Sequence, residues 1–316
     1  MNVGIDVSPL VQTQAGTARY IRGLLGHNEY ARLSWGGSTR LAAFVRDVWW
    51  YPHGLPHDAQ DLDVLHCPTF RGPVRSRVPV VVTVHDLAVL RHPGTFNHWT
   101  RRYSRFAVPR VARAARRVIA VSEFTRGEVV ELLGVPDERI RVIPNAVGEP
   151  FGPDGPAADG EYVLAVGTLE PRKNLAVAQQ AAQRLEVELR VVGARGWGGV
   201  EVDGWLGRVS DDELAALYRG ARCLVYPSLY EGFGIPVLEA MACGTPVVTA
   251  AGGATEEVAG GAAVLVDARD PAAVATGIEE AEARRDELRG RGLERATRFT
   301  WERVAAETRA VYEDAA

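Results

Sequence analysis

Tyr226-Pro227-Ser228-Leu229-Tyr230-Glu231-Gly232-Phe233-Gly234-Ile235-Pro236-Val237-Leu238-Glu239-Ala240 is the stretch on which the fold of this chain turns. The apolar run Cys223–Tyr226 leads into it and a helical pattern follows, so the chain passes from strand through turn to helix. Gly232 and Gly234 let the backbone come close to a ligand. Pro236 suits the first helical turn, where its missing N–H is not needed. The remaining N–H groups of that turn, Phe233 to Ile235 among them, point past the strand end and bind phosphate together with the helix dipole. Glu231 on the turn and Glu239 in the second helical turn can both face one crevice, with the phosphate site between them. Carboxylates accept hydrogen bonds from vicinal sugar hydroxyls, and a nucleotide sugar carries two sugars flanking a diphosphate.

A second string, Ala165-Val166-Gly167-Thr168-Leu169-Glu170-Pro171-Arg172-Lys173-Asn174, also leaves a strand and enters a helix. Arg172 and Lys173 stand at the helix start, on the carboxyl side of the sheet where ligands bind in such folds. Two adjacent cations there can neutralise a departing diphosphate. Lys173 is the single Lys among 36 basic residues, which marks a position where a compact ammonium serves better than a planar guanidinium.

Outward from these strings, short strands alternate with helices, the pattern of parallel sheets wrapped by helices. The first half offers Val3–Asp6, Val80–Val84, Val118–Val121 and Arg141–Ile143 as strands. The second offers Tyr162–Val166, Glu188–Val192, Cys223–Tyr226, Val247–Thr249 and Ala263–Val266. Pro150-Phe151-Gly152-Pro153-Asp154-Gly155-Pro156 lacks periodicity and reads as a linker. Ser210-Asp211-Asp212-Glu213 is a capping box, and Asp270-Pro271 an N-cap followed by proline. A last helix opens after Thr300, with Val304, Ala305, Thr308, Val311 and Tyr312 on one face.

Composition narrows the class. With 47% hydrophobic and 24% charged residues the 316-residue chain is globular and long enough for two domains. Its longest largely apolar run, Val78 to Val84, is far short of a membrane span, and the start lacks a signal-peptide pattern, so a cytoplasmic location is expected. Cys67, Cys223 and Cys243 have no metal-ligand spacing and read as buried thiols. Residues 1–150 carry 19 Arg against 13 acids, a balance of +6, whereas residues 151–316 carry 17 basic and 27 acidic residues, a balance of −10. Opposite charges point to modules with different partners. Asp61-Leu62-Asp63 spells a D-x-D, but it precedes a strand-like Val64-Leu65-His66 and a turn is the simpler account. No metal site is expected.

The Glu231-to-Glu239 string and the Arg172–Lys173 pair resemble those of the retaining glycosyltransferases of family 4, and the resemblance covers essentially the whole chain. It implies the GT-B fold: two doubly wound, Rossmann-like α/β domains facing a cleft, with the C-terminal helix crossing back to the first. The expected parts are 1–150, an acceptor-side domain; 151–298, a nucleotide-sugar-binding domain; and 299–316, the returning helix. The resemblance gives Glu231 the hydroxyls of the transferred hexose, Glu239 the nucleotide ribose, and Arg172 and Lys173 the diphosphate. Many members place that Arg directly after the strand glycine, where this chain has Thr168. Arg208-Val209-Ser210 falls where backbone groups meet the nucleobase. Gln14-Ala15-Gly16-Thr17-Ala18-Arg19-Tyr20 resembles the glycine loop after the first strand, with Gly16 the one glycine retained. His85, in Thr83-Val84-His85-Asp86, resembles the strand-end histidine beside donor sugar and acceptor. Ser122 and Asn145 also fit family positions, although a helix cap and a turn explain both.

The expectation is a retaining, metal-independent transferase that uses no cofactor. It would take a nucleoside-diphosphate hexose, with mannose on guanosine diphosphate suggested by the mannosyltransferase-like branch and uridine or thymidine sugars as alternatives, and a glycan, lipid-linked or small-molecule acceptor. An epimerase or phosphorylase-like enzyme stays open, and, more distantly, a dinucleotide-dependent oxidoreductase, although no full G-x-G-x-x-G follows the first strand. No nucleic-acid partner is expected. Between Arg101 and Arg117 there are seven Arg, interleaved with the aromatic and apolar positions Trp99, Tyr103, Phe106, Val108 and Val111. No acid lies among them, and Pro109 interrupts the segment. That stretch can lie on an anionic membrane surface, at the inner face of the membrane, or receive an acidic acceptor.

Overall fold

The computed structural model describes residues 1–11, 16–37, 39–96 and 98–316. Gln14 and Ala15 of the expected glycine loop therefore lie outside the described residues. Two compact units emerge: Met1–Asn145 with Trp301–Ala316, and Ala146–Thr300.

The first unit holds β1 (Val3–Asp6), β2 (Ala31–Leu33), β3 (Val64–Cys67), β4 (Val80–Val84), β5 (Arg117–Ala120) and β6 (Ile140–Val142). They form one parallel sheet in the order β2-β1-β3-β4-β5-β6. β3 and β4 are buried along their whole length, as expected of strands covered on both faces. The helix Trp301–Ala315 belongs to this unit and buries Val304, Ala305, Thr308, Val311 and Tyr312. Each large apolar side chain so buried contributes about 1.5–3 kcal/mol. The Trp301 ring lies over Gly23 of the helix Gly16–His27, where an added Cβ would stand 2.3 Å from it. Arg117 Nε donates to Asp314 at 2.5 Å.

The second unit holds β7 (Tyr162–Val166), β8 (Glu188–Val192), β9 (Trp205–Gly207), β10 (Leu224–Tyr226), β11 (Val247–Ala250) and β12 (Val264–Val266). Their order is β12-β11-β10-β7-β8-β9, again all parallel. From β7 the chain winds outward through β8 and β9, then restarts at β10 on the other side. The strand order thus reverses between β7 and β10, the place where doubly wound sheets open a crevice at their carboxyl ends. The capping box at Ser210 and the Asp270 cap both form.

The Pro/Gly stretch 150–156 is irregular, as read, but it is fastened to the second unit. Arg219 donates to the carbonyls of Pro150, Gly152 and Pro156 at 2.8, 2.8 and 2.9 Å, and Phe151 packs edge-on to Tyr218. Among the described residues no helix is long and apolar enough to cross a membrane. The three cysteines are buried and free.

Candidate active site

The switch point of the second sheet brings the two strings together. The loop after β7 makes a short turn, Pro171–Lys173, before the helix Leu175–Arg184, so both cations stand on this turn rather than on the helix itself. Lys173 folds its stem back over Gly167, where a Cβ would come within 3.1 Å of Cδ. Its Nζ donates to Glu231 Oε1 at 2.6 Å and to the Tyr226 hydroxyl at 2.8 Å. Arg172 donates to Glu170 Oε1 and to the Tyr230 carbonyl, both at 2.6 Å, and lies 3.1 Å from Glu231 Oε2. The pair is not a solvated surface patch: the Arg172 and Lys173 side chains are only 14% and 11% exposed.

Glu231 is the hub of this cluster. Its Oε1 also accepts from Tyr226 at 2.9 Å and from Ser228 at 2.5 Å. Burial alone would raise its carboxyl, but the Lys173 and Arg172 charges and the Lys173 and Ser228 hydrogen bonds outweigh that and hold it at about 2. A poorly exposed carboxylate kept ionised between two cations, on a loop at the carboxyl end of a parallel sheet, is the kind of perturbed group that marks functional sites.

The turn then passes through Gly234, whose φ of 100° and close neighbour Thr255 exclude a side chain, into the helix Ile235–Ala242. Gly232 is buried, Phe233 packs edge-on to Phe299, and Ile235 is half-buried, so it is the backbone of this turn that remains to meet a ligand. Glu239 follows on the helix, 2% exposed, with the Tyr218 hydroxyl donating to its Oε2 at 3.0 Å. Arg208 is exposed and Val209 half-buried, on the segment leaving the edge strand β9. The structure thus joins Arg172, Lys173 and Glu231 directly, sets Glu239 on the helix they precede, and leaves Arg208 and Val209 at the edge of the sheet.

In the first unit His85 follows β4. Its Nε2–H donates to the Pro68 carbonyl at 3.0 Å, and Tyr20 meets its ring edge-on at 4.9 Å. Burial lowers its affinity for a proton, with the Pro68 bond and Asp86 opposing in part. Gly16 opens the helix that carries Tyr20, one turn earlier and on the same face. Beneath His85 runs a buried chain that sequence reading missed. Tyr312 meets His66 Nδ1 at 2.7 Å, His66 Nε2 meets Thr83 Oγ1 at 2.9 Å, and Thr83 meets the Tyr20 hydroxyl at 3.1 Å. Burial and the nearby His85 hold His66 at about 3.

Other sequence readings resolve locally. Ser122 caps the helix Glu123–Glu128 by accepting from Thr125 N at 2.9 Å. Asn145 is buried, and its Oδ1 has no partner among the described residues. Asp63 of the D-x-D accepts from Asn2 N at 2.5 Å at the entry to β3, which is a turn role. Tyr226, Ser228 and Glu170 lay inside the quoted strings without a role; polar residues flanking Glu231 and Arg172 were the signal for them.

Comparison with known proteins fits this geometry. Residues 8–148 match the family described as Glycosyltransferase Family 4, and residues 151–298 match Glycosyl transferases group 1. The chain is 34% identical over 277 residues to the O-antigen chain mannosyltransferase B of Escherichia coli, covering 78% of this chain and 72% of that one. It is 31% identical over 365 residues to the D-inositol 3-phosphate glycosyltransferase of Geodermatophilus obscurus, covering 99% and 79%. Among solved structures, Anabaena HepE in complex with UDP and glucose superposes with a TM-score of 0.80 at 17% identity, covering 99% of each chain. The oxidoreductase and epimerase alternatives are thereby set aside: the protein is a GT-B glycosyltransferase and belongs to glycosyltransferase family 4.

Proposed function

We propose that the protein is a retaining, metal-independent hexosyltransferase that moves mannose from a nucleoside diphosphate to a glycan, lipid-linked or small-molecule acceptor. The observation that carries this reading is Glu231 held between Lys173 and Arg172 at the β7/β10 switch point, beside the start of the helix Ile235–Ala242. The mannosyltransferase relative supports the sugar, and the solved relative in complex with UDP and glucose supports a nucleoside-diphosphate donor.

In this reading the diphosphate meets the Lys173 ammonium, the Arg172 guanidinium and the N–H groups of Gly232 to Ile235. These supply the positive charge that a divalent cation supplies in other transferases. Two of the three Lys173 N–H donors serve Tyr226 and Glu231, which leaves one for a phosphate oxygen. Glu231 accepts from hexose hydroxyls, Glu239 from the ribose, and the Arg208–Val209 backbone meets the base. As the bond from C1 to the phosphate oxygen breaks, its electron pair stays with the diphosphate. The acceptor oxygen bonds C1 from the same face and its proton passes to the departing phosphate oxygen, so the anomeric configuration is kept. His85 serves the acceptor: with Nε2–H given to Pro68, the neutral ring keeps Nδ1 as a hydrogen-bond acceptor.

The test is a panel of nucleoside-diphosphate hexoses with anomer-resolved analysis of the product, run with and without excess chelator. Retained configuration and turnover that survives chelation are expected. An inverted product, or activity lost to chelator and restored by manganese or magnesium, overturns the mechanism.

A further inference from the structure

Tyr218 stands near the end of the helix Asp211–Gly220, which buries Leu214, Ala215, Leu217 and Tyr218 along one face. Its ring is ordinary core: it is fully buried, and Phe151 meets it edge-on at 6.1 Å. Its hydroxyl is not. A phenylalanine would fill the same space with no polar group to satisfy. The hydroxyl donates to Glu239 Oε2 at 3.0 Å, on the neighbouring helix Ile235–Ala242.

The two helices are tied again at the same residue. Thr245 Oγ1, just past Ile235–Ala242, donates to the Tyr218 carbonyl at 2.6 Å, and Thr245 N donates to the Ala240 carbonyl at 2.8 Å. Tyr218 is therefore held through its backbone and its hydroxyl by the segment that carries Glu239. The turn around it is fixed from the other side as well. Tyr162 donates to the Leu217 carbonyl at 2.8 Å, and Arg219 clamps the stretch 150–156. The same helix opens at the Ser210 capping box, directly after Arg208 and Val209. One braced element thus joins the segment read as meeting the base to the carboxyl read as meeting the ribose.

A glutamate side chain is flexible, and it accepts from both hydroxyls of a vicinal diol when the plane of its carboxyl is set. Fixing that plane before the ligand arrives removes an ordering cost from binding. For stability alone the pair gains little, since apolar side chains of similar volume would pack there without desolvating a carboxyl. We propose that Tyr218 is a positioning residue for ribose recognition: it holds the Glu239 carboxyl in the orientation that accepts the sugar hydroxyls of the nucleotide. The inference rests on the donor reading, in which Glu239 serves the ribose. It adds that the preference for ribose is set by a residue acting through Glu239.

The experiment is calorimetric titration of the full chain with guanosine, uridine, adenosine and thymidine diphosphates, each beside its 2′,3′-dideoxy form. The natural protein is compared with Tyr218→Phe, Glu239→Gln and the double variant, and thermal melts check that each folds. The natural protein should bind one of these diphosphates at least about tenfold more tightly than its dideoxy form. Tyr218→Phe should narrow that preference by about threefold and leave the dideoxy affinity unchanged, which shows that the rest of the pocket is intact. In the Glu239→Gln background the same substitution should change the preference no further. If the natural protein binds none of the diphosphates, the donor reading falls and this inference with it. If it binds without preferring the hydroxyls, Glu239 does not serve the sugar. A full preference in folded Tyr218→Phe, an equal loss for both forms of the ligand, or a further loss in the double variant overturns the role of Tyr218 alone.

Discussion

The polar cluster at the carboxyl ends of β7 and β10 and the polar chain beneath His85 are built on opposite principles. In the second unit, two cations and two carboxylates are packed within two short loops, with the Tyr226 and Ser228 hydroxyls bonded to the central carboxylate. In the first unit, Tyr20, Thr83, His66 and Tyr312 come from four elements and form a neutral chain in a fully buried interior. An ionic cluster near a crevice can exchange one partner for an anionic ligand. A neutral buried chain gains nothing from exchange and serves to hold elements in place.

The largest effect that this contrast predicts is on catalysis. Glu231→Gln keeps the shape of the side chain but removes the charge between Lys173 and Arg172. Turnover should fall by about 10²–10³-fold, the worth of roughly 3–4 kcal/mol of transition-state contact. Glu231→Ala should lower stability as well, because it takes the carboxylate from the poorly exposed Lys173 and leaves Arg172 with Glu170 as its acidic partner. Steady-state kinetics and thermal melts on both variants measure this; near-normal turnover in Glu231→Gln would remove Glu231 from the site.

The next effect is on stability. Tyr312→Phe leaves His66 Nδ1 buried without its partner, at a cost of about 1–3 kcal/mol. Denaturant melts should show that loss while nucleotide affinity stays unchanged. A matching loss of nucleotide affinity would mean that the chain is not merely structural.

The two regions should also separate by pH. His66, held at about 3, binds no proton in the folded protein where the unfolded chain does, so stability falls as pH drops from about 6.5 toward 3. Glu231 is depressed from 4.5 to about 2, so its contribution is intact above pH 4.5 and lost only as pH falls toward 2. Replacing His66 with Gln should flatten the upper part of the profile by about 1.4 kcal/mol per pH unit. Glu231→Gln should change only the lower part. The smallest effect is at Ser210, where Ala removes a capping box that is remote in sequence from both clusters, for about 1 kcal/mol.

The same contrast explains what was legible in the sequence. Arg172, Lys173, Glu231 and Glu239 sit in two continuous strings after strands, so their meeting follows from strand order alone. β4, β7 and β8 fall where periodicity places them. β2 and β9 did not stand out because each has three residues and is only partly buried, which leaves no apolar run to read. The chain from Tyr20 to Tyr312 spans nearly the whole sequence, and each member alone is an ordinary core residue. Only the packing of the terminal helix against β3 and β4 makes them a unit. Likewise, Pro109 reads as a break in sequence, yet the helix continues because Val108, Val111 and Ala112 are buried on one face.

The most direct measurement is a calorimetric titration of the full chain with nucleoside diphosphates, comparing the natural protein with Lys173→Ala and Arg172→Ala. Tight binding of one diphosphate to the natural protein, weakened at least about tenfold by either substitution, is the expected result. Equal affinity in all three proteins would show that the diphosphate binds elsewhere and that the cluster around Glu231 is only structural.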